Sequence, residues 1–169
     1  MGDFKLTSSD FSDGGEIPRE CGYKNGNKAP SLRWEIGSGT ISDSNPASFA
    51  LIMDDPDAME AVWKVWVHWV VWNISPDMWE YGNARDAAEG MTDFGEVGYG
   101  GPAPPDKRHT YIFKLYALDI KLDLPNESTK ADVEKAMEGH ILEHIEKNIG
   151  KSKGSFKFTR EESRKTGEG

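Results

Sequence analysis

The longest apolar stretch of the chain is Val65–Ile74, Val-Trp-Val-His-Trp-Val-Val-Trp-Asn-Ile, broken only by His68 and Asn73. A β-branched and aromatic run without helical spacing predicts a strand buried on both faces. Side chains alternate along a strand, so Trp66, His68, Val70, Trp72 and Ile74 are expected on one face. An imidazole among indoles and valines needs a hydrogen-bond partner, since leaving it unpaired costs about 1–3 kcal/mol. His68 is therefore either a paired core histidine or the floor of a site.

The flanking pattern predicts further strands. Leu32-Arg33-Trp34-Glu35-Ile36 alternates apolar and polar and ends at a Gly37-Ser38-Gly39 turn. Ser48–Met53 reads as a second strand, with Phe49, Leu51, Met53 and Asp55 on one face, stopping at the turn-rich Asp54-Asp55-Pro56-Asp57-Ala58. Thr110–Leu118 is a third, with His109, Tyr111, Phe113, Leu115 and Ala117 to one side. Val133, Met137, Ile141, Ile145 and Ile149 recur every four residues and predict a helix over about 129–148. Thr129 and Asp132 supply a capping box and Gly150 a stop. Phe156 and Phe158 suggest a last short strand; residues 1–28 read as loops with an edge strand, and 75–108 as irregular. The expected architecture is one mainly antiparallel β domain over residues 1–150, with a short strand and a fraying basic tail over 151–169.

Length and charge narrow the function. A chain of 169 residues can bury a full core without staples, and a single cysteine, Cys21, cannot close an internal disulfide. No signal-peptide pattern opens the sequence, Leu6 stands where a myristoylation signal wants Ser or Thr, and no apolar run reaches membrane-span length. These features predict a soluble, cytoplasmic protein. The net charge of −9 argues against nucleic acid and anionic membranes as partners. The charge is uneven: from Lys151 to Gly169 six Lys/Arg meet three Asp/Glu, leaving −12 on the rest. A tail of that kind is usually a solvated one.

If the strands are neighbours, Asp55, Asp57, His68, His109 and Tyr111 converge. The loop Gly98-Tyr-Gly-Gly-Pro-Ala-Pro-Pro-Asp106 adds bare backbone that a ligand could approach, with prolines fixing its shape. Taken singly, Asp-Pro-Asp is a turn and a Gly/Pro-rich loop is a loop. Two His and two Asp could also hold zinc. His140 and His144, at i and i+4 on the expected helix, have ligand spacing as well, although a partly buried helix pair is the simpler reading. A serine hydrolase lacks its Gly-x-Ser-x-Gly elbow, while Asp and His could activate water on a phosphoester. Trp63, Trp66, Trp69 and Trp72 are expected to build core.

Asp55-Pro56-Asp57-Ala58, His68-Trp69-Val70-Val71 and Gly100-Gly101-Pro102-Ala103-Pro104-Pro105 with His109-x-Tyr111, in this order and spacing, resemble the phosphatidylethanolamine-binding protein (PEBP) family. The similarity is to its bacterial and archaeal, Raf-kinase-inhibitor-like branch. Tyr111–Asp119 and Ala136–Leu142 share it, and it covers about residues 3–150. The resemblance implies a mainly β, Greek-key fold of two antiparallel sheets with a C-terminal helix and long loops. It implies a small pocket for a phosphate-like anion, a phosphorylated small molecule or a phospholipid headgroup. Asp55, His68, His109 and Tyr111 would line it and Gly101, Pro104 and Pro105 would form its rim, with Asp57 bracing the turn. It implies a binding protein without cofactor or metal, not an enzyme. Partners in the family include kinases and serine proteases that its members inhibit, and homodimers occur. Ala103 replaces a frequent cysteine, Thr110 stands where Arg usually follows the histidine, and the tail is unusually basic. Losing that Arg removes a cation near the mouth. On this reading Asp55 orients an imidazole, and the anion is held by histidines protonated near their ordinary ~6.5, so binding should be tighter at pH 6 than at pH 8.

Overall fold

The computed structural model describes residues 4–36, 46–76, 80–81, 87–104 and 108–152. Its strands are β1 (Phe4–Thr7), β2 (Gly15–Glu16), β3 (Leu32–Ile36), β4 (Ser48–Asp55), β5 (Trp66–Ile74), β6 (Glu80–Tyr81), β7 (Ala88–Glu89), β8 (His109–Leu118) and β9 (Ile141–Ser152). Two α-helices accompany them, α1 (Ala58–Val62) and α2 (Lys130–Met137). One sheet has the order β1-β3-β6, and the other the order β2-β9-β8-β4-β5-β7. All pairs are antiparallel except the short β2–β9 contact. Within the larger sheet the order β8-β4-β5-β7 is a Greek key: three strands run in succession and the next returns beside the first.

The larger sheet is buried on both faces. Leu51, Met53, Trp69, Val71, Phe113 and Leu115 pack toward the smaller sheet, against Leu6, Leu32 and Trp34. Ala50, Ile52, Val70, Trp72 and Leu118 pack on the other side, against Val133 and Met137 of α2. All eight residues of β4 are buried. That is why this strand and β5 read as apolar runs rather than alternating ones. No helix among the described residues is long and apolar enough to cross a membrane.

Two expectations fail here for identifiable reasons. The central strand does not keep one face. β4 and β5 slip register between Phe49 and Leu51 and between Met53 and Asp54, where a residue of β5 is inserted each time. These bulges move Ile74 and His68 off the side that carries Val70 and Trp72 and onto the opposite face. Asn73, with φ 58°, lies in the first of them.

The long C-terminal helix is also two elements. The capping box forms as expected, with Asp132 N–H on Thr129 Oγ1 and Thr129 N–H on Asp132 Oδ2. Gly139 then takes φ 82° and the chain continues as β9. Val133 and Met137 are helical core, but Ile141 and Ile145 belong to a strand paired with β8. His140 and His144 are therefore not a helix-face pair. His140 Nδ1 donates to Asp119 Oδ1 at 2.8 Å, and the His144 ring stacks on Tyr116. β9 also runs past Gly150 to Ser152. The Gly37–Gly39 turn, Pro105, Phe156, Phe158 and the basic tail lie outside the described residues.

Candidate functional site

β4 ends at Asp55 and β8 begins at His109, side by side at one edge of the sheet interior. His109 Nδ1 donates to Asp55 Oδ2 at 2.5 Å, with both side chains buried. The turn after β4 is locked to the start of β8, because Thr110 N–H donates to Asp57 Oδ2 at 2.8 Å. Asp57 thus braces the turn and does not line the cavity. His68, displaced by its bulge, comes to the same region from β5. Its Nδ1 donates to Gly100 O at 2.6 Å, and Gly100 N–H returns a bond to His68 O at 2.8 Å. That fixes the tautomer, leaving Nε2 as an acceptor.

These three side chains line a cavity of about 190 Å³ together with Ala58, Ala61, Val62, Trp66, Phe94, Ala103 and Pro104. The walls are mostly apolar. No Lys or Arg is among the described residues that line it. The Phe94 wall is held in place by its turn: Asp93 takes Val67 N–H and Lys64 Nζ, each at 2.7 Å, and Gly95 at φ 78° closes the bend. The Phe94 ring stacks on Tyr23 at 4.1 Å and meets His68 and Trp66 edge-on. Tyr111 stands behind His68, ring centroids 5.1 Å apart and nearly perpendicular.

The electrostatics come from burial. Burial lowers the His68 imidazole to about 4, outweighing the backbone groups of Gly100 and Gly101 that favour its protonation. The expectation that His68 carries charge near neutral pH is thereby corrected: 2 % exposed and bonded to a carbonyl, it is neutral there. Burial also pushes the Asp55 carboxyl up, opposed by its bond to His109. The Tyr111 phenol is pushed far up by burial, with Asp55 adding to the effect. Asp55 Oδ1 and Tyr111 OH are buried without a well-formed hydrogen bond, the Asp57 backbone lying beside the Asp55 carboxyl and the Ala103 backbone beside the Tyr111 hydroxyl. Tyr111 was expected to line the pocket, but it is fully buried behind His68 and is not one of the cavity's walls.

The glycine-rich loop works differently from a ligand cradle. Gly101 N–H is taken by Asn27 Oδ1 at 2.7 Å, and a Cβ at Gly101 would fall 1.9 Å from Cys21 O. A Cβ at Gly100 would collide with the Phe94 ring. Both glycines serve close packing of the loop on its surroundings, which brings Ala103 and Pro104 to the cavity. Sequence reasoning missed Ala58, Ala61, Val62, Trp66 and Phe94. Trp66 was expected in the core and is a half-buried wall, and Trp63 is 85 % exposed. Trp69 and Trp72 are core as expected. Among the described residues, no three His, Cys, Asp or Glu side chains converge as metal ligands.

The Greek-key double sheet, with a small His/Asp-lined cavity at a strand end, agrees with what the chain resembles. The family model described as phosphatidylethanolamine-binding protein matches residues 7–148, and the chain belongs to that family, in its bacterial and archaeal branch. A UPF0098 protein from Methanothermobacter thermautotrophicus is 42% identical over 145 residues, 81% of this chain and 91% of that protein. Another from Aquifex aeolicus is 38% identical over 146 residues, 82% of each. Among solved structures, CT736 from Chlamydia trachomatis, described as a PEBP homolog, superposes with TM-score 0.77 at 32% identity, covering 90% of this chain and 97% of that one. Escherichia coli YbcL, described as a member of the mammalian PEBP family, gives TM-score 0.76 at 27% identity, covering 90% and 99%.

Proposed function

We propose that this PEBP-family protein binds a small phosphate-type ligand in the cavity between His68 and His109 and acts by binding rather than by turnover. The observation that carries this reading is the cavity itself, where Asp55, His68 and His109 meet mostly apolar walls at the strand ends. A phosphate group is compact enough for such a cavity, and the apolar walls suit the carbon attached to it. His109, buttressed by Asp55, and the neutral His68 complete the polar floor. Titration of the full chain with inorganic phosphate, followed by NMR, tests it. Saturable shifts should centre on residues 55, 68 and 109, and His68→Ala should weaken binding about fivefold or more. No saturable binding of any phosphate would overturn the reading. A hydrolase acting through the same groups would release phosphate from methyl phosphate, an assay that decides between binding and turnover.

A second reading is favoured by the cavity's outer wall. Met59, Val62 and Trp63, on α1 and its C-terminal cap, are 47%, 40% and 85% exposed, and Val62 also lines the cavity. Such an apolar lip suits a protein partner, and the kinases, serine proteases or second copies that the family's members engage are the candidates. Inhibition of a purified protease or kinase that Trp63→Ser abolishes, with phosphate affinity intact, would support it. Equal inhibition by both forms would refute it.

A further inference from the structure

The turn from Gly22 to Asn27 is fastened to the 99–102 loop on both of its sides. Tyr23 N–H donates to Pro102 O at 3.0 Å. Asn27 takes Gly101 N–H on Oδ1 at 2.7 Å and donates from Nδ2 to Tyr99 O at 2.9 Å. Between these two clamps stand Asn25 and Gly26. The turn itself imposes the glycine: its φ is 125°, and a Cβ there would lie 3.2 Å from Glu20 O. Among the described residues Gly26 N–H has no hydrogen-bond acceptor, and the half-buried side-chain amide of Asn25 has no partner either. Every other asparagine of the chain precedes a residue with a side chain that hinders attack by the next backbone nitrogen. We propose that Asn25 deamidates spontaneously and that the isoaspartate so formed uncouples the 99–102 loop from the turn.

The Gly26 nitrogen, giving up its proton to the solvent, attacks Asn25 Cγ. A cyclic imide closes as the Cγ–Nδ2 bond breaks, and Nδ2 takes up a proton and leaves as ammonia. Water then opens the ring at either carbonyl. One water is consumed, one ammonia is released and nothing is oxidised. Opening on one side gives aspartate on the ordinary backbone; opening on the other leads the main chain through Cγ and lengthens it by one carbon. Two other asparagines are held out of this chemistry. Asn27 has both ends of its amide bonded, and the next N–H, on Lys28, donates to Glu20 O at 2.9 Å. Asn73 donates to Leu122 O and accepts Leu122 N–H. The loop cannot follow a lengthened turn, because a Cβ at Gly101 would already fall 1.9 Å from Cys21 O. The bond at Tyr23 or the pair at Asn27 must yield, and with it the seating of Ala103 and Pro104 at the cavity.

The test incubates the full chain at pH 7 and at pH 9 and maps its peptides by mass spectrometry. Residue 25 should gain about 1 Da, as an amide becomes an acid, while Asn27 and Asn73 stay unchanged. The gain should be faster at pH 9, where the attacking nitrogen loses its proton more readily. In the isoaspartate-bearing fraction, separated by chromatography, the Tyr23 or Gly101 amide should exchange hydrogen about fivefold or more faster, the worth of one hydrogen bond. Asn25→Asp puts the new charge on an ordinary backbone and should keep the protection of both amides. Asn25→Ser should neither gain mass nor lose protection. Should a variant fail to fold, the incubated unmodified chain carries the test alone. Mass gain confined to other asparagines would overturn the site. Full protection of both amides in the isoaspartate fraction would overturn the uncoupling.

Discussion

Asp54 and Asp55 are consecutive residues of β4, each 2 % exposed, and they meet opposite surroundings. Asp54 faces the side covered by α2. Its Oδ2 lies 2.8 Å from Lys130 Nζ and 3.4 Å from Lys114 Nζ. Two cations there tie the helix start and β8 to the central strand. Asp55 faces the side shared with the smaller sheet. It is bonded to His109, lies beside the Asp57 backbone and borders the cavity. The first carboxylate is paired with two cations of the fold; the second has a histidine and a cavity beside it.

The largest expected effect sharpens this contrast through pH. His68, on the Asp55 side, has a folded value of about 4 against ~6.5 in the unfolded chain, so between those values the folded state holds fewer protons. Stability is therefore full above pH ~6.5 and falls as pH drops toward 4, by up to about 3 kcal/mol. Asp55, whose carboxyl is raised by burial, acts in the opposite direction. Urea denaturation at pH 7 and at about pH 4.5 should show the loss in the unmodified protein and a smaller one in His68→Gln. Equal losses would mean that the imidazole does not govern acid stability.

Next, Asp54→Ala should cost about 2 kcal/mol, because it strands two lysines that can still reach water. Phosphate affinity should stay within about twofold of the unmodified protein. A large loss of affinity would break the division between the two faces. Smaller again is Asp55→Asn, with a change of about 1 kcal/mol or less. Burial disfavours the charged carboxylate there more than His109 stabilises it, so a neutral isostere loses little. Its effect should appear in phosphate affinity instead. The smallest change is expected at Trp63, exposed and held at φ 66°. Trp63→Gly relieves a left-handed backbone at the cost of a freer unfolded chain, and denaturation should shift by no more than about 0.5 kcal/mol.

Much of the fold was legible in the residues. β3, β4, β5 and β8 stand where alternation and apolar runs put them, to within a residue or two. The capping box at Thr129 is a local device, and it forms as written. The region after Met137 was misread because Ile141, Ile145 and Ile149 are spaced by four, a multiple of the strand period and close to the helical one. Pattern alone cannot separate the two. Gly139 was the local sign that the helix ends, and pairing with β8 decided the rest.

The site divides in the same way. The motif residues Asp55, His68, His109 and Tyr111 were identifiable, and the structure gathers all four. Their protonation was not, because the lowering of His68 comes from burial, which outweighs the bond to a carbonyl 32 residues away. Nor were the walls. Phe94 reaches the cavity by a turn anchored to Lys64 and Val67, and Val62 through a five-residue helix where only a turn was expected.

By itself the sequence determined where the strands lie, which carboxylates and imidazoles sit at their ends, and the family they belong to. Local preferences and short motifs are carried by neighbouring residues, so they can be read in one dimension. Tertiary structure alone decided that the bulge at His68 would turn its ring to the Asp55 side, that Gly101 would serve packing, and that Asp55 would border a cavity. Register, burial and unmet hydrogen bonds are properties of strands brought together, and no single stretch of chain contains them.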